Sequence, residues 1–132
     1  MNENPFSKTR FDLARNNISR LKEIFKSGHL DDFINLTESE ALMIHSLMLS
    51  SNPYFILMKP NTLEVIQRVL EYRRDTKLPI SFTLDAGSNV HLLYPNSVKT
   101  SIHKFIEGDL LKFCKSKIHI HDSLGMGSEK LL

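Results

Sequence analysis

A second cysteine is missing from this chain, and so are a long apolar run, an excess of charge of one sign, and any internal repeat or low-complexity stretch. Each absence removes a class of protein. Cys114 alone cannot form an intrachain disulfide, which agrees with a reducing compartment, and a buried helix thiol is its expected state. No apolar segment approaches the ~20 residues that span a bilayer, and the stretch from Met1 to Pro5 has neither the basic nor the apolar part of a secretory signal. No membrane partner is therefore expected, and the cytoplasm is the expected location. Lys and Arg total 17 against 15 Asp and Glu, a net charge of +2 distributed along the chain, so no nucleic-acid partner is expected. The densest basic points, Arg15 with Arg20 and Lys22, and Arg68 with Arg73 and Arg74, fall at helical spacing and read as solvated helix faces. What is present, 132 residues that are 41% hydrophobic and 24% charged, is sized for one globular domain over 1–132 with its own core.

Residues 1–10 contain Pro5 and no periodicity, which predicts an irregular lead-in. Phe11, Ala14, Ile18, Leu21 and Phe25 then step by three or four, predicting a first helix with one apolar stripe, closed by Gly28. Leu30 to Leu36 predicts a short helical piece. Thr37 with Glu40 fits a capping box for a new helix, and the same residues also fit the interior of one continuous helix. Ala41, Leu42, Ile44, Leu47, Met48 and Leu49 spread around the helix too widely for a narrow stripe, predicting a central helix buried on more than one side. His45 within it reads as a hydrogen-bonded core residue. Ser50 to Pro53 ends that helix, and Tyr54 to Met58 reads as a short extended piece. Asn61 with Glu64 forms a further capping pair, opening a third helix that carries Leu63, Ile66, Val69 and Leu70 to about Asp75. After Tyr94, Pro95 to Ser97 supplies a turn and an N-cap for a fourth helix through Ile102, Phe105 and Ile106. Gly108 and Asp109 interrupt it, and it resumes through Leu110 to Phe113. Lys117 to His121 alternates strictly and predicts a last strand, followed by a flexible tail over 122–132.

Ser81 to Tyr94 is the stretch on which strand patterning, turn chemistry and an acidic side chain coincide. Phe82 and Leu84 share one face of a period-two pattern and Ser81, Thr83 and Asp85 the other; Val90, Leu92 and Tyr94 resume the alternation. The connection from Asp85 through Ala86, Gly87 and Ser88 to Asn89 combines a glycine with polar residues that bond locally to the backbone, predicting a β-hairpin with Asp85 at the mouth of its loop. With the last strand added, Phe82, Leu84, Val90, Leu92, Ile118 and Ile120 share one face of a small sheet, and Thr83, Asp85, His91, His119 and His121 the other. A helix layer should cover the apolar face; the polar face is solvated or faces a cleft or a neighbour. His119 and His121 project to one side of a strand, as two imidazoles on one ion would, but a polar sheet face accounts for the pair and no metal site is expected. Gly125 to Ser128 neither follows a strand into a helix nor carries a phosphate-loop lysine. Neither a Cys114–His103 pair nor a nucleophile elbow can be argued from residue order. As turn formers, Asp85, Gly87 and Asn89 need no function.

The run from Phe82 to Tyr94 closely resembles the strand, Asp-Ala-Gly-Pro-Asn loop and strand near the C-terminal end of mevalonate diphosphate decarboxylases, members of the GHMP kinase superfamily. Leu36 to Ser51, followed by Pro53, is similar to that family's helix and proline-containing link, and Pro5 to Arg10 and Asp122 to Glu129 resemble bacterial members. The likeness covers nearly the whole chain but only the C-terminal domain of the much longer family proteins. No glycine/serine-rich phosphate loop stands here, so the N-terminal nucleotide-binding half is expected to be absent.

The resemblance implies a GHMP C-terminal-like α/β domain of the α+β type, with a small, mainly antiparallel sheet and helices packed on one face. It implies part of an ATP-dependent enzyme that phosphorylates the tertiary 3-hydroxyl of mevalonate 5-diphosphate, releases phosphate and carbon dioxide, and forms isopentenyl diphosphate. Asp85 matches the motif's aspartate, the base or orienting group for that hydroxyl, and Ala86, Gly87, Ser88 and Asn89 would lie along the substrate. ATP and Mg2+ would be held mainly by the N-terminal half, supplied in cis or trans, and the isolated chain would be inactive; a homodimer is a further expected arrangement. Ser88 stands where the family usually has proline, which removes a fixed φ from the loop. Relatives acting on other phosphorylated mevalonates, as kinases or decarboxylases, share the architecture. A non-catalytic small-molecule binding or interaction module that keeps the fold is the alternative reading.

Overall fold

The computed structural model describes residues 4–85, 87–114 and Ile120. The order is three helices, a hairpin and a fourth, broken helix: α1 (Ser7–Ser27), α2 (Leu30–Leu49), α3 (Pro60–Thr76), β1 (Ser81–Leu84), β2 (Val90–Leu93) and α4 (Lys99–Phe105). The expected last strand, with His119 and His121, lies outside the described residues apart from Ile120, as does the expected tail over 122–132. The described sheet is therefore the two-stranded antiparallel hairpin, with Phe82 opposite Leu92 and Leu84 opposite Val90.

The irregular lead-in is shorter than expected. Helix α1 begins at Ser7, because the Asn4 side chain accepts the Phe6 N–H (2.8 Å) and the Asn4 carbonyl the Ser7 N–H (3.1 Å), which turns the chain into the helix immediately after Pro5. Asn4 also donates from Nδ2 to the Leu47 carbonyl (2.7 Å), tying this start to the end of α2. At its other end Gly28 takes φ +71 and donates to the Ile24 carbonyl (2.8 Å), the left-handed closure expected of a glycine there.

The apolar stripe of α1 does not face inward as expected. Phe11, Ile18 and Phe25 are more than half exposed, whereas Ser7, Asn17 and Ile24 are buried. The reason is electrostatic: Arg10 and Asn17 both reach Glu40 of α2, and satisfying that carboxylate rotates the polar side of α1 toward α2.

Helix α2 is continuous. Thr37 Oγ1 donates to the Phe33 carbonyl (2.7 Å), a back-bond inside a helix rather than a cap. It packs on both α1 and β1 and buries Ile34, Leu36, Ala41, Leu47 and Met48, although Leu42 and Leu49 remain exposed. The expected extended piece from Tyr54 to Met58 is irregular, with Tyr54, Phe55, Ile56 and Leu57 all exposed.

Helix α3 is capped two residues earlier than Asn61 and Glu64 suggest. Pro60 takes the first helical position, where its missing N–H costs nothing, and Thr62 Oγ1 accepts the Lys59 N–H (3.1 Å). Asn61 instead donates to the Phe113 carbonyl (3.2 Å). Arg73 is not on a solvated face: it forms a salt bridge with Glu38 of α2 and donates to the Ile80 carbonyl (2.9 Å), joining α2, α3 and the approach to β1.

The core cluster brings together Ala41, Val65, Ile66 and Val69, then Ile80, Phe82 and Leu84, then Ile102, Phe105, Ile106 and Leu110. Val69, Ile80 and Ile102 are 0% exposed, and each buried side chain of this size contributes about 1.5–3 kcal/mol relative to exposure. The Tyr72 and Phe105 rings stack at 4.0 Å between centroids. The interruption expected at Gly108 and Asp109 is a π-helical turn over Ile106–Leu110, followed by a 3-10 turn over Leu111–Phe113. Cys114 follows that turn half-buried, outside any helix. Among the described residues no helix is long and apolar enough to cross a membrane.

Candidate functional site

The hairpin delivers Asp85 to the end of β1 with its carboxylate 43% exposed, on the side shared with His91. Both carboxylate oxygens are engaged within the loop itself. Oδ1 accepts the Gly87 N–H at 2.7 Å, and Oδ2 accepts a longer bond from Asn89 Nδ2 at 3.4 Å, with His91 Nε2 at 3.7 Å from the same oxygen. The Gly87 N–H is the largest influence and holds the Asp85 carboxyl below its ordinary value; partial desolvation opposes it, and Asn89 and His91 add to the lowering. The group is an ionised carboxylate at neutral pH. A Cβ added at Gly87 would sit 3.3 Å from Asp85 Oδ1, so glycine lets the backbone approach the carboxylate this closely.

The backbone of the loop is held from the opposite direction. His45, 2% exposed on α2, places Nε2 at 2.9 Å from the Asp85 carbonyl oxygen. A carbonyl only accepts, so Nε2 carries the proton in this contact. Thr62, 3% exposed on α3, donates from Oγ1 to the Ser88 carbonyl at 2.8 Å. The expected core role of His45 is thus borne out, with a hydrogen bond to the hairpin loop as its content.

Asp85, Gly87 and Asn89 come together around one carboxylate, while Ser88 turns its carbonyl to Thr62. Ala86 lies outside the described residues. Three neighbours were not among the expected site residues. His91 has a sequence signal, because alternation across the hairpin puts it on the side of Asp85. His45 and Thr62 have none, since they arrive from helices 40 and 26 residues away along the chain. Among the described residues no three His, Cys, Asp or Glu side chains converge as a metal site. Surface depressions lined by Arg20, His29 and Asp32, and by Asn4, Phe11 and Arg15, lie along α1 away from this loop.

A fixed, ionised carboxylate at a hairpin corner can accept a hydrogen bond or a proton from a hydroxyl brought against its open side. The family model for the mevalonate 5-diphosphate decarboxylase C-terminal domain matches residues 4–124. The chain belongs to this family. Its fold is that of solved family members. The mevalonate diphosphate decarboxylase of Enterococcus faecalis, solved in a study of mevalonate diphosphate mediated ATP binding, shares 23% identity at a TM-score of 0.75, over 83% of this chain and 34% of that one. The decarboxylase of Legionella pneumophila shares 26% identity at a TM-score of 0.75, over 81% of this chain and 34% of that one. A further structure, MDDEF in complex with MVAPP, AMPPCP and magnesium, has 23% identity and a TM-score of 0.75, over 83% and 33% of the two chains. This chain therefore spans about a third of the length of these relatives. No curated protein sequence matches it.

Proposed function

We propose that this chain is the carboxylate-bearing C-terminal part of an ATP-dependent mevalonate diphosphate decarboxylase, acting on mevalonate 5-diphosphate together with an N-terminal nucleotide-binding part in cis or in trans. The observation that carries this reading is the Asp85 carboxylate, ionised and oriented by Gly87 and Asn89, within a domain of the decarboxylase family. Asp85 accepts the hydrogen bond or proton of the substrate 3-hydroxyl, and its lowered proton affinity favours orienting the hydroxyl over holding its proton for long. The backbone of Gly87, Ser88 and Asn89 runs along the substrate.

The described residues do not fit an ATP or Mg2+ site by themselves. Among the described residues no carboxylate cluster converges, and the sequence carries no glycine-rich phosphate loop to cradle phosphates. Both groups therefore fall to the other part of the enzyme, and this chain alone is inactive. Exposed Tyr54, Phe55, Ile56 and Leu57 form an apolar stretch of the kind that a partner surface covers, which supports the two-part reading.

The test is ATP-dependent release of carbon dioxide from mevalonate 5-diphosphate, measured with the chain alone and with the remaining two-thirds of a family enzyme supplied. Turnover is expected only in the second case, and Asp85→Asn should lower it at least about a hundredfold. Full activity of Asp85→Asn would remove the catalytic assignment. A chain that folds but neither binds the other part nor supports turnover would favour a non-catalytic module.

A further inference from the structure

We propose that His45 and Thr62 are positioning residues that hold the Asp85 loop in its working shape from beneath. The two side chains come from different helices and grip carbonyls near opposite ends of the loop, Asp85 at 2.9 Å and Ser88 at 2.8 Å. Both grips are buried at the protein end, with His45 2% and Thr62 3% exposed, whereas Asp85 and Asn89 are exposed. The loop therefore has a fixed inner side and an open outer side.

The geometry gives this arrangement a consequence for the carboxylate. Holding the Asp85 carbonyl fixes the peptide that leaves Asp85, and holding the Ser88 carbonyl fixes the peptide that enters Asn89. Between them, the Gly87 N–H is brought to 2.7 Å from Oδ1. Ser88 has no ring to fix its φ, so the loop obtains its definition from these contacts rather than from covalent restraint. Thr62 serves two structures through one oxygen, accepting the Lys59 N–H at the start of α3 and donating to the loop. His45 is likewise more than core filling, because it directs a polar atom at the backbone of the residue whose side chain faces out.

What the positioned carboxylate does rests on the proposed function; the positioning itself does not, and NMR of the folded 132-residue chain reads it without turnover. Nitrogen shifts of the wild-type His45 ring should show a proton on Nε2 at neutral pH, and an unprotonated Nε2 would overturn the proposal with no variant needed. Gln has its side-chain nitrogen at the same bond count as His Nε2, so His45→Gln should preserve the Gly87 amide shift and the Asp85 titration, as should Thr62→Ser. His45→Met and Thr62→Val should move the Asp85 titration up toward its ordinary value and speed Gly87 amide exchange, up to about tenfold for a hydrogen bond's loss.

Thr62→Val also removes a cap, so the first-turn amides of α3 report that effect separately. If those amides change while Gly87 and Asp85 do not, the proposal fails. It fails too if folded His45→Met leaves the loop unchanged. With the remainder of a family enzyme supplied, the same two variants should lower kcat with little change in KM. Absence of turnover in the wild type, with the loop responses intact, would refute the functional reading and leave the positioning role standing.

Discussion

The hairpin end of the molecule and its α1 side place their apolar residues in opposite ways. Around the hairpin, Phe82, Leu84, Ile80 and Val69 are buried, and polar side chains are used to fasten backbone: His45 and Thr62 to the loop, Arg73 to the Ile80 carbonyl. Along α1 the pattern is inverted. The polar trio Arg10, Asn17 and Glu40 lies between the helices, and Phe11, Ile18 and Phe25 are exposed, as are Tyr54, Phe55, Ile56 and Leu57. One side thus fastens its backbone with buried polar side chains, and the other leaves apolar side chains exposed.

The sharpest way to break this contrast is at Arg73. Arg73→Met leaves the Glu38 carboxylate, 12% exposed, without its partner and should cost about 3 kcal/mol in denaturant unfolding. Adding Glu38→Leu should recover part of that loss, since removing both charges leaves none stranded. A single variant as stable as the parent would show that the hairpin side is not organised by polar fastening.

The exposed side should respond in the reverse sense. Serine at Phe11, Ile18 or Phe25 should change stability by no more than about 0.5 kcal/mol each, because these side chains are 53%, 58% and 69% exposed. Light scattering should show reduced self-association of the chain in the triple variant if two copies meet through this helix. A large stability loss would instead mean that the stripe is covered within the monomer.

The smallest effect is the acid dependence of the loop. Asp85 has a folded-state value below its ordinary 3.8, so its stabilising contribution is full above pH 3.8 and is lost as pH falls through the lower folded value. The stability difference between the parent and Asp85→Asn should therefore shrink on acidification below pH 3.8 and stay level above it. A difference that begins to fall near neutral pH would contradict the Gly87 bond as the main cause.

How much could be read from the chain follows the range of each interaction. The hairpin, its register and the outward carboxylate are local matters, written in the alternation of Phe82, Leu84, Val90 and Leu92 and in the Asp, Gly and Asn of the turn. The left-handed closure at Gly28 and the interruption at Gly108 are local too. The inward face of α1 was not legible, because periodicity marks Phe11, Ile18 and Phe25 as one stripe without saying that the half-buried Glu40 carboxylate on another helix would claim the opposite side. Arg73 misled for the same reason: its partner Glu38 is 35 residues away. The carboxylate of the candidate site was visible in the turn and in the family likeness, and the contacts that hold its backbone were not.

The π turn over Ile106–Leu110 acts as a phase correction. On an unbroken α-helix, successive residues advance by about 100°, so Phe105 and Leu110 would point well apart; here both are buried, at 6% and 2%. The chain before the turn and the chain after it address the same core although they are out of step with each other. Point substitutions leave that offset in place. Deleting one residue from this span would leave Phe105 and Leu110 four apart, about 40° on an ordinary α-helix, so a regular turn would replace the π turn and keep Leu110 on the core and the Phe113 carbonyl near Asn61.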